Sequence, residues 1–457
     1  MKMHQFLPLI LFSCLTMSVA NRVYVHPFYL FSHKNISCEV IQTEDPKPLE
    51  TISLTPLQDG TEPDPRPNTA TEELQNITQR TAVLAELQNF LGLRMYEKLS
   101  GKQQDANILF SPYNAFGTLV TLYLGASKNT AVSYQKLLGL NRDSGRPDCV
   151  YLIDGYTVLR TLQAINSLID GPRDELTTLV WTFVSSDADL SKKFVRGTQE
   201  FSDSSYTRAV DFAQPEDAEA QVNSFIQRTS DSKPTQLFKD ISKTTNLLFA
   251  SSVHFKGNWR TAFQPEATSM QEFKTDEKST VKVPMMTHTG HYMYLDDEGR
   301  KCTVVKLGLS KRTYMLLVLP HEGASLQDIE KQQLTAEVIS KWYQHLKERY
   351  LELSLPKFSL TAVTDLKAVL SDLLVESYLL GSDADFQELS SKENFTVDKV
   401  LNKVVFEMSE EGSEAQNKTQ EAGVPLKVTV DKPFFFAIVE GNSNAILMLG
   451  KIINPTL

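Results

Sequence analysis

Between Ile41 and Arg80 the chain carries six prolines, Pro46, Pro48, Pro56, Pro63, Pro65 and Pro67, separated by acidic and small polar residues. Proline locks φ and lacks a backbone donor, so no long helix or central strand can run through this stretch. It reads as a solvated linker with polyproline character. The 457-residue chain is thereby divided into a short N-terminal segment and a body long enough to bury a large core. The expected parts are a signal peptide over 1–20, a peptide over 21–30, an arm and Pro-rich linker over 31–82, and one folded domain over 83–457.

The first twenty residues have the layout of a secretory signal. Lys2 gives a positive start, Phe6–Met17 is apolar, and Ser18-Val19-Ala20 places small residues at the cleavage positions. That apolar run is short for a membrane span. The mature chain is expected to begin at Asn21 and to be secreted into the extracellular space. Asn-x-Ser/Thr sequons at Asn35, Asn76, Asn394 and Asn417 are candidate glycosylation sites. With Cys14 removed, Cys38, Cys149 and Cys302 remain, which permits one disulfide and one free thiol in three possible pairings. Cys302 opens the strand-like run CTVVKL, where a buried thiol is common.

A net charge of −10 without a long basic block argues against a nucleic-acid binder. The chain has no His-Glu-x-x-His, no phosphate-binding loop and no Gly-x-Ser-x-Gly elbow, so it is not read as an enzyme, and no cofactor is expected. His288 and His291 lie three apart in THTGHYMY, too few ligands for a metal, and are read as loop histidines. Asp296-Asp297-Glu298 is read as a solvated turn.

Folded structure is expected from about Val83. There Leu84, Leu87, Leu91, Met95 and Leu99 fall on one helical face. Leu351, Leu353 and Leu355 alternate with Glu352 and Ser354 as in a half-buried strand. Phe434–Glu440 and Ala445–Ile452 flank Gly441-Asn442-Ser443-Asn444, a hairpin signal. Helices and strands do not alternate regularly, which points to one α+β domain.

Motifs along 83–457 resemble the serpin family, in its chain order. They are NILFSP (Asn107–Pro112) with LYLGASKNT (Leu122–Thr130), SVHFKGNWRTAF (Ser252–Phe263), VPMM (Val283–Met286), LPKF (Leu355–Phe358), TDLKAVL (Thr364–Leu370), the hinge-like EEGSEA (Glu410–Ala415) and Lys432-Pro433-Phe434. The resemblance implies a serpin fold of three β-sheets and eight or nine helices, with an exposed loop near the C-terminus and an extended N-terminal arm. It also implies pairing of the arm cysteine with one in the body, Cys38 with Cys149, leaving Cys302 reduced.

The family includes inhibitors, hormone carriers and hormone precursors, so the fold leaves the function open. The N-terminus favours the last. Asn21–Phe28 (NRVYVHPF) resembles the vasoactive angiotensin octapeptide, with Asn21 where Asp is frequent, and Tyr29-Leu30 completes a decapeptide. The peptide is thus Asn21, Arg22, Val23, Tyr24, Val25, His26, Pro27, Phe28, Tyr29 and Leu30. By this resemblance a renin-type aspartic protease cuts Leu30–Phe31. A converting dipeptidyl carboxypeptidase then cuts Phe28–Tyr29, and a cell-surface angiotensin receptor binds the product, which controls blood pressure and salt balance. β-branched Val25 and ring-locked Pro27 favour extended backbone, which a protease cleft also requires.

Inhibition by loop insertion would need alternate small residues facing the core. By the resemblance the core-facing set is Ser413, Ala415, Asn417 and Thr419; Ser413 and Ala415 fit, whereas Asn417, polar and in a sequon, does not. A carrier would need an apolar pocket.

Overall fold

The computed structural model describes residues 25–33, 48–58, 60–61, 77–141, 153–167, 176–230, 236–276, 278–309, 312–332, 334–373, 376–392, 395–414 and 423–457. The signal segment 1–20, Asn21–Tyr24, all four sequon asparagines, Cys38, Cys149 and Ala415–Thr419 lie outside them.

Along the chain the elements begin with helix α1 (Pro27–Phe31), strands β1 (Thr51–Ile52) and β2 (Thr55–Pro56), and helix α2 (Ile77–Lys102). Strand β3 (Ile108–Phe110) precedes helices α3 (Pro112–Tyr123), α4 (Lys128–Leu137) and α5 (Gly155–Ser167). Next come β4 (Leu176–Ser185), β5 (Leu190–Ser191), helix α6 (Lys192–Phe201), β6 (Ser204–Val210), helix α7 (Pro215–Thr229) and β7 (Leu247–Thr261). Strands β8 (Ser269–Lys274), β9 (Thr280–Asp297), β10 (Cys302–Gly308) and β11 (Thr313–Pro320) follow. Then come helices α8 (Leu326–Lys331) and α9 (Ala336–His345), β12 (Lys347–Pro356) and β13 (Ser359–Asp365). Helices α10 (Leu366–Asp372) and α11 (Glu376–Leu379) lead to β14 (Val397–Glu414), β15 (Leu426–Thr429), β16 (Phe434–Glu440) and β17 (Ile446–Ile452).

These strands make three sheets. Nine strands run β15-β12-β9-β10-β11-β16-β17-β3, with β8 added to β9; six run β13-β14-β7-β4-β6-β2; and β1 pairs with β5 alone. The α+β class and the three sheets expected from the sequence are therefore present.

Local pattern explains most of the core. In α2 the expected stripe packs inward, with Leu84, Leu91 and Met95 buried and Leu87 and Leu99 partly buried against them. The helix starts at Ile77, six residues before the expected Val83, and no proline interrupts it. Leu351, Leu353 and Leu355 are fully buried in β12. Strands β16 and β17 form the expected antiparallel hairpin, buried along their whole length. In its turn, the Glu440 carboxylate accepts from the Asn442 and Ser443 amides and from the Ser443 hydroxyl.

Two sequence readings change. His288 and His291 are not in a loop but in β9, where cross-strand pairing with β12 extends past them. His288 Nδ1 lies 2.6 Å from the Tyr292 hydroxyl, and His291 packs against Tyr350. The 31–82 stretch is also not wholly linker. Within it β1 pairs antiparallel with β5, β2 pairs parallel with β6, and Leu57 is buried. Pro56 is tolerated because β2 is a sheet edge, where a missing donor leaves no ladder bond unmade.

Candidate functional site

From Pro27 to Phe31 the chain is helical rather than extended. His26 caps the helix with φ −57° and ψ 136°, and Pro27 occupies the first position of α1. Proline suits that position because its ring presets φ and its missing N–H would have no helical partner. The His26 Nδ1 accepts from the Phe28 amide at 3.2 Å, and the His26 carbonyl accepts from the Tyr29 amide at 3.0 Å. The expectation of extended backbone across Leu30–Phe31 is thus corrected: a side-chain cap and a first-turn proline together outweigh the local extended preference. The signal was in the sequence, as a His-Pro step before apolar residues.

The turn is docked on the body. Phe31 is 0% exposed and Phe28 8%, both within the main core, while Tyr29 points outward at 53%. Leu30 is partly buried against the same core. The Leu30 carbonyl, on the acyl side of the expected cut, accepts from Arg80 Nε of α2 at 3.1 Å. The Phe31 carbonyl accepts from the Asp154 amide at 2.7 Å, and Ser32 bridges antiparallel to Ile153. Asp154 in turn starts α5, its carboxylate accepting from the Tyr156 and Thr157 amides and from the Thr157 hydroxyl. Backbone pairs and aromatic rings therefore hold both sides of the Leu30–Phe31 bond. Arg80 and Asp154 were not identified from the sequence, since nothing in their local pattern marks a partner fifty or more residues away.

A protease cleft binds its substrate as an extended strand. A helical turn with one ring fully buried cannot enter such a cleft as it stands. Fully burying a phenylalanine stabilises by about 1.5–3 kcal/mol. Phe28 and Phe31 thus resist opening by roughly 3–6 kcal/mol before the entropy regained on release is subtracted.

Of the hinge-like residues, Glu410–Glu414 lie in strand β14. Strand β14 continues to Glu414, and past a two-residue irregularity after Met408 it pairs Gly412 with Trp259 and Glu414 with Thr261 of β7. The Glu410 carboxylate meets Lys357 Nζ at 2.5 Å, and Trp259 Nε1 donates to the Ser409 carbonyl at 2.7 Å. Burial pushes the Glu410 carboxyl up, but the hydrogen bonds, chiefly that from Lys357, outweigh it and hold it below its ordinary value. At Gly412 a Cβ would lie 2.3 Å from the Ala262 backbone nitrogen, so this approach requires glycine.

For the carrier alternative, a cavity of 910 Å³ lies between α2 and helices α8 and α9. Apolar side chains such as Phe90, Leu93 and Leu334 line it together with charged ones such as Arg94, Glu97 and Lys331. Among the described residues no group of three His, Cys, Asp or Glu could hold a metal, and no helix is long and apolar enough to cross a membrane. Cys302 is buried and free, and burial pushes its thiol up to about 12.

Comparison with known proteins supplies the wider context. Residues 86–455 match the model of the family described as Serpin (serine protease inhibitor). Angiotensinogen of Rattus norvegicus is 31% identical, with 96% of this chain aligned to 95% of that protein. Angiotensinogen of Homo sapiens is 30% identical over the same shares. Among solved structures, the mouse protein-Z dependent protease inhibitor superposes with a TM-score of 0.72 at 26% identity, covering 83% of this chain and 99% of that one. Human thyroxine-binding globulin, solved in complex with thyroxine, gives a TM-score of 0.70 at 25% identity, covering 82% of this chain and 99% of that one.

Proposed function

The chain belongs to the serpin family, and on that premise we propose that it is a secreted, non-inhibitory hormone precursor of the angiotensinogen type. A renin-type aspartic protease cuts Leu30–Phe31 and releases Asn21–Leu30. A converting dipeptidyl carboxypeptidase trims the product at Phe28–Tyr29, and the octapeptide Asn21–Phe28 acts on a cell-surface receptor to raise vascular tone. The serpin body is the scaffold on which the cleavage site is kept.

The observation that carries this reading is the docking of α1. The residues on both sides of the expected cut are held by body residues, Arg80 on the acyl side and Asp154 on the other. A tail that merely dangled would need no such partners. Cleavage then proceeds through an opened state in which α1 unwinds, Phe31 leaves the core and Leu30–Phe31 enters the protease as a strand. Large apolar side chains astride the bond suit apolar subsites. The alignment of nearly the whole chain, N-terminal region included, with angiotensinogens supports the same reading.

Incubation of the full-length protein with a renin-type protease, followed by mass spectrometry, tests it. A single product ending at Leu30 is expected; an intact chain, or cuts elsewhere in the tail, would overturn it.

A further inference from the structure

Besides α1, a second stretch of the N-terminal region is fastened to the body. The Lys192 amide donates to the Glu50 carbonyl at 2.9 Å, and Thr51 and Ile52 pair with Ser191 and Leu190. Thr55 and Pro56 lie along β6, the Leu57 amide donates to the Ala209 carbonyl at 2.7 Å, and the Leu57 side chain is buried in a second core with Trp181 and Phe225. Asp189, a buried carboxylate outside the processing site, accepts from the Ser390 and Ser391 hydroxyls at 2.5 Å each and from the Thr51 side chain. It thus ties the arm to two other segments at once.

We propose that, when Cys38 and Cys149 are reduced, Glu50–Leu57 is a clasp that regulates protease access to Leu30–Phe31 by shortening the covalent path between the docked peptide and the body. This rests on the processing reading above. Among the described residues, the anchor that follows His33 is Glu50, about 17 residues on, and with the clasp open it is Ile77, about 44 on. The effective concentration of a tethered segment at its site falls as about the −3/2 power of that length. Opening the clasp therefore weakens re-docking of α1 roughly fourfold, and a cut made from the opened state speeds up by the same factor. No contact of α1 changes, since none of Glu50–Leu57 touches the hydrogen bonds that hold it.

The test uses full-length protein with its thiols reduced, so that a Cys38–Cys149 bond cannot supply a shorter tether. The double variant Thr51→Pro/Leu57→Asp releases the clasp. A second variant keeps the clasp and inserts about thirty Gly/Ser residues between Asp45 and Pro46, lengthening the path to a similar extent. Two quantities are followed: hydrogen exchange of the amides of residues 28–31, which needs no protease, and kcat/KM for the cut at Leu30–Phe31. Both variants should raise both quantities about fourfold, while residues 108–123 of the core keep their protection. Should the double variant lose that core protection, the insertion decides alone. Unchanged exchange in the insertion variant overturns the clasp, whatever the double variant does. Faster exchange in both without any cleavage at Leu30–Phe31 would leave the clasp standing and overturn the processing reading.

Discussion

Arg80 Nε donates to the Leu30 carbonyl oxygen at 3.1 Å, which joins the first turn of α2 to the acyl side of the bond proposed for cleavage. That carbonyl is the group a protease must polarise, so its partner in the docked state competes with the enzyme. A hydrogen bond to a charged donor contributes about 1.5–3 kcal/mol when buried, and about 1 kcal/mol at this partly exposed site. Arg80→Ala should therefore raise kcat/KM for release of Asn21–Leu30 about fivefold. A free peptide spanning the same bond, which has no docked state, sets the limiting rate. A variant cleaved no faster than the parent would show that opening does not control access.

Leu30→Asp should abolish release. It would place a carboxylate in an apolar subsite with no partner, at a cost of several kcal/mol. Mass spectrometry after exhaustive digestion reads the outcome directly, and normal release of the decapeptide from this variant would refute the assigned bond.

Cys38 and Cys149 are expected to pair, leaving Cys302 as the thiol. Since burial holds the Cys302 thiol at about 12, almost none is thiolate at pH 8, and the thiolate is the reactive form. Iodoacetamide at pH 8 should label nothing in the native protein and label Cys302 alone after unfolding without reductant. A peptide map with Cys302 in a disulfide would overturn the pairing.

Asp189 sets a pH limit on the arm. Burial pushes its carboxyl up, but hydrogen bonds from Ser390, Ser391 and Thr51 together outweigh burial and hold it at about 2, against an ordinary 3.8. A lowered folded pKa means that the stabilisation is complete above about 4 and is lost as the pH falls towards 2. Exchange protection of residues 50–57 should weaken across that window. Asp189→Asn should show weakened protection already at pH 7 and a flatter response to acid, and an identical acid response in both proteins would show that another group is responsible.

The chain is expected not to inhibit proteases by loop insertion. An inserting strand buries alternate side chains, and a glycan at Asn417 could not enter a packed sheet. Cleaving between Glu421 and Leu426 should leave the thermal unfolding midpoint nearly unchanged. A rise of tens of degrees, or a detergent-stable complex with a serine protease, would show that the loop does insert.

The body was legible in the sequence wherever one face of an element is buried. The stripe from Leu84 to Leu99, the alternation at Leu351, Leu353 and Leu355, and the apolar runs around Gly441–Asn444 each encode their own element, because side-chain period reports burial directly. Absence of such a period misled the reading of the arm. Two-residue strands such as β1 and β2 are too short to show alternation, and their stability comes from edges supplied by β5 and β6. The β9 histidines were misread for a related reason, since their strand is half exposed and its pattern is weak.

By itself, then, the amino-acid order determined the family and the main-domain elements, and it carries the motif behind the proposed peptide, all of which depend on residue identity and local spacing. Tertiary structure alone decided that Pro27–Phe31 is a docked helical turn, that Arg80 and Asp154 hold the two sides of Leu30–Phe31, and that Glu410–Glu414 lies paired beside β7. Side-chain pattern specifies which face of a segment avoids water; which distant surface covers that face is settled only when the whole chain packs.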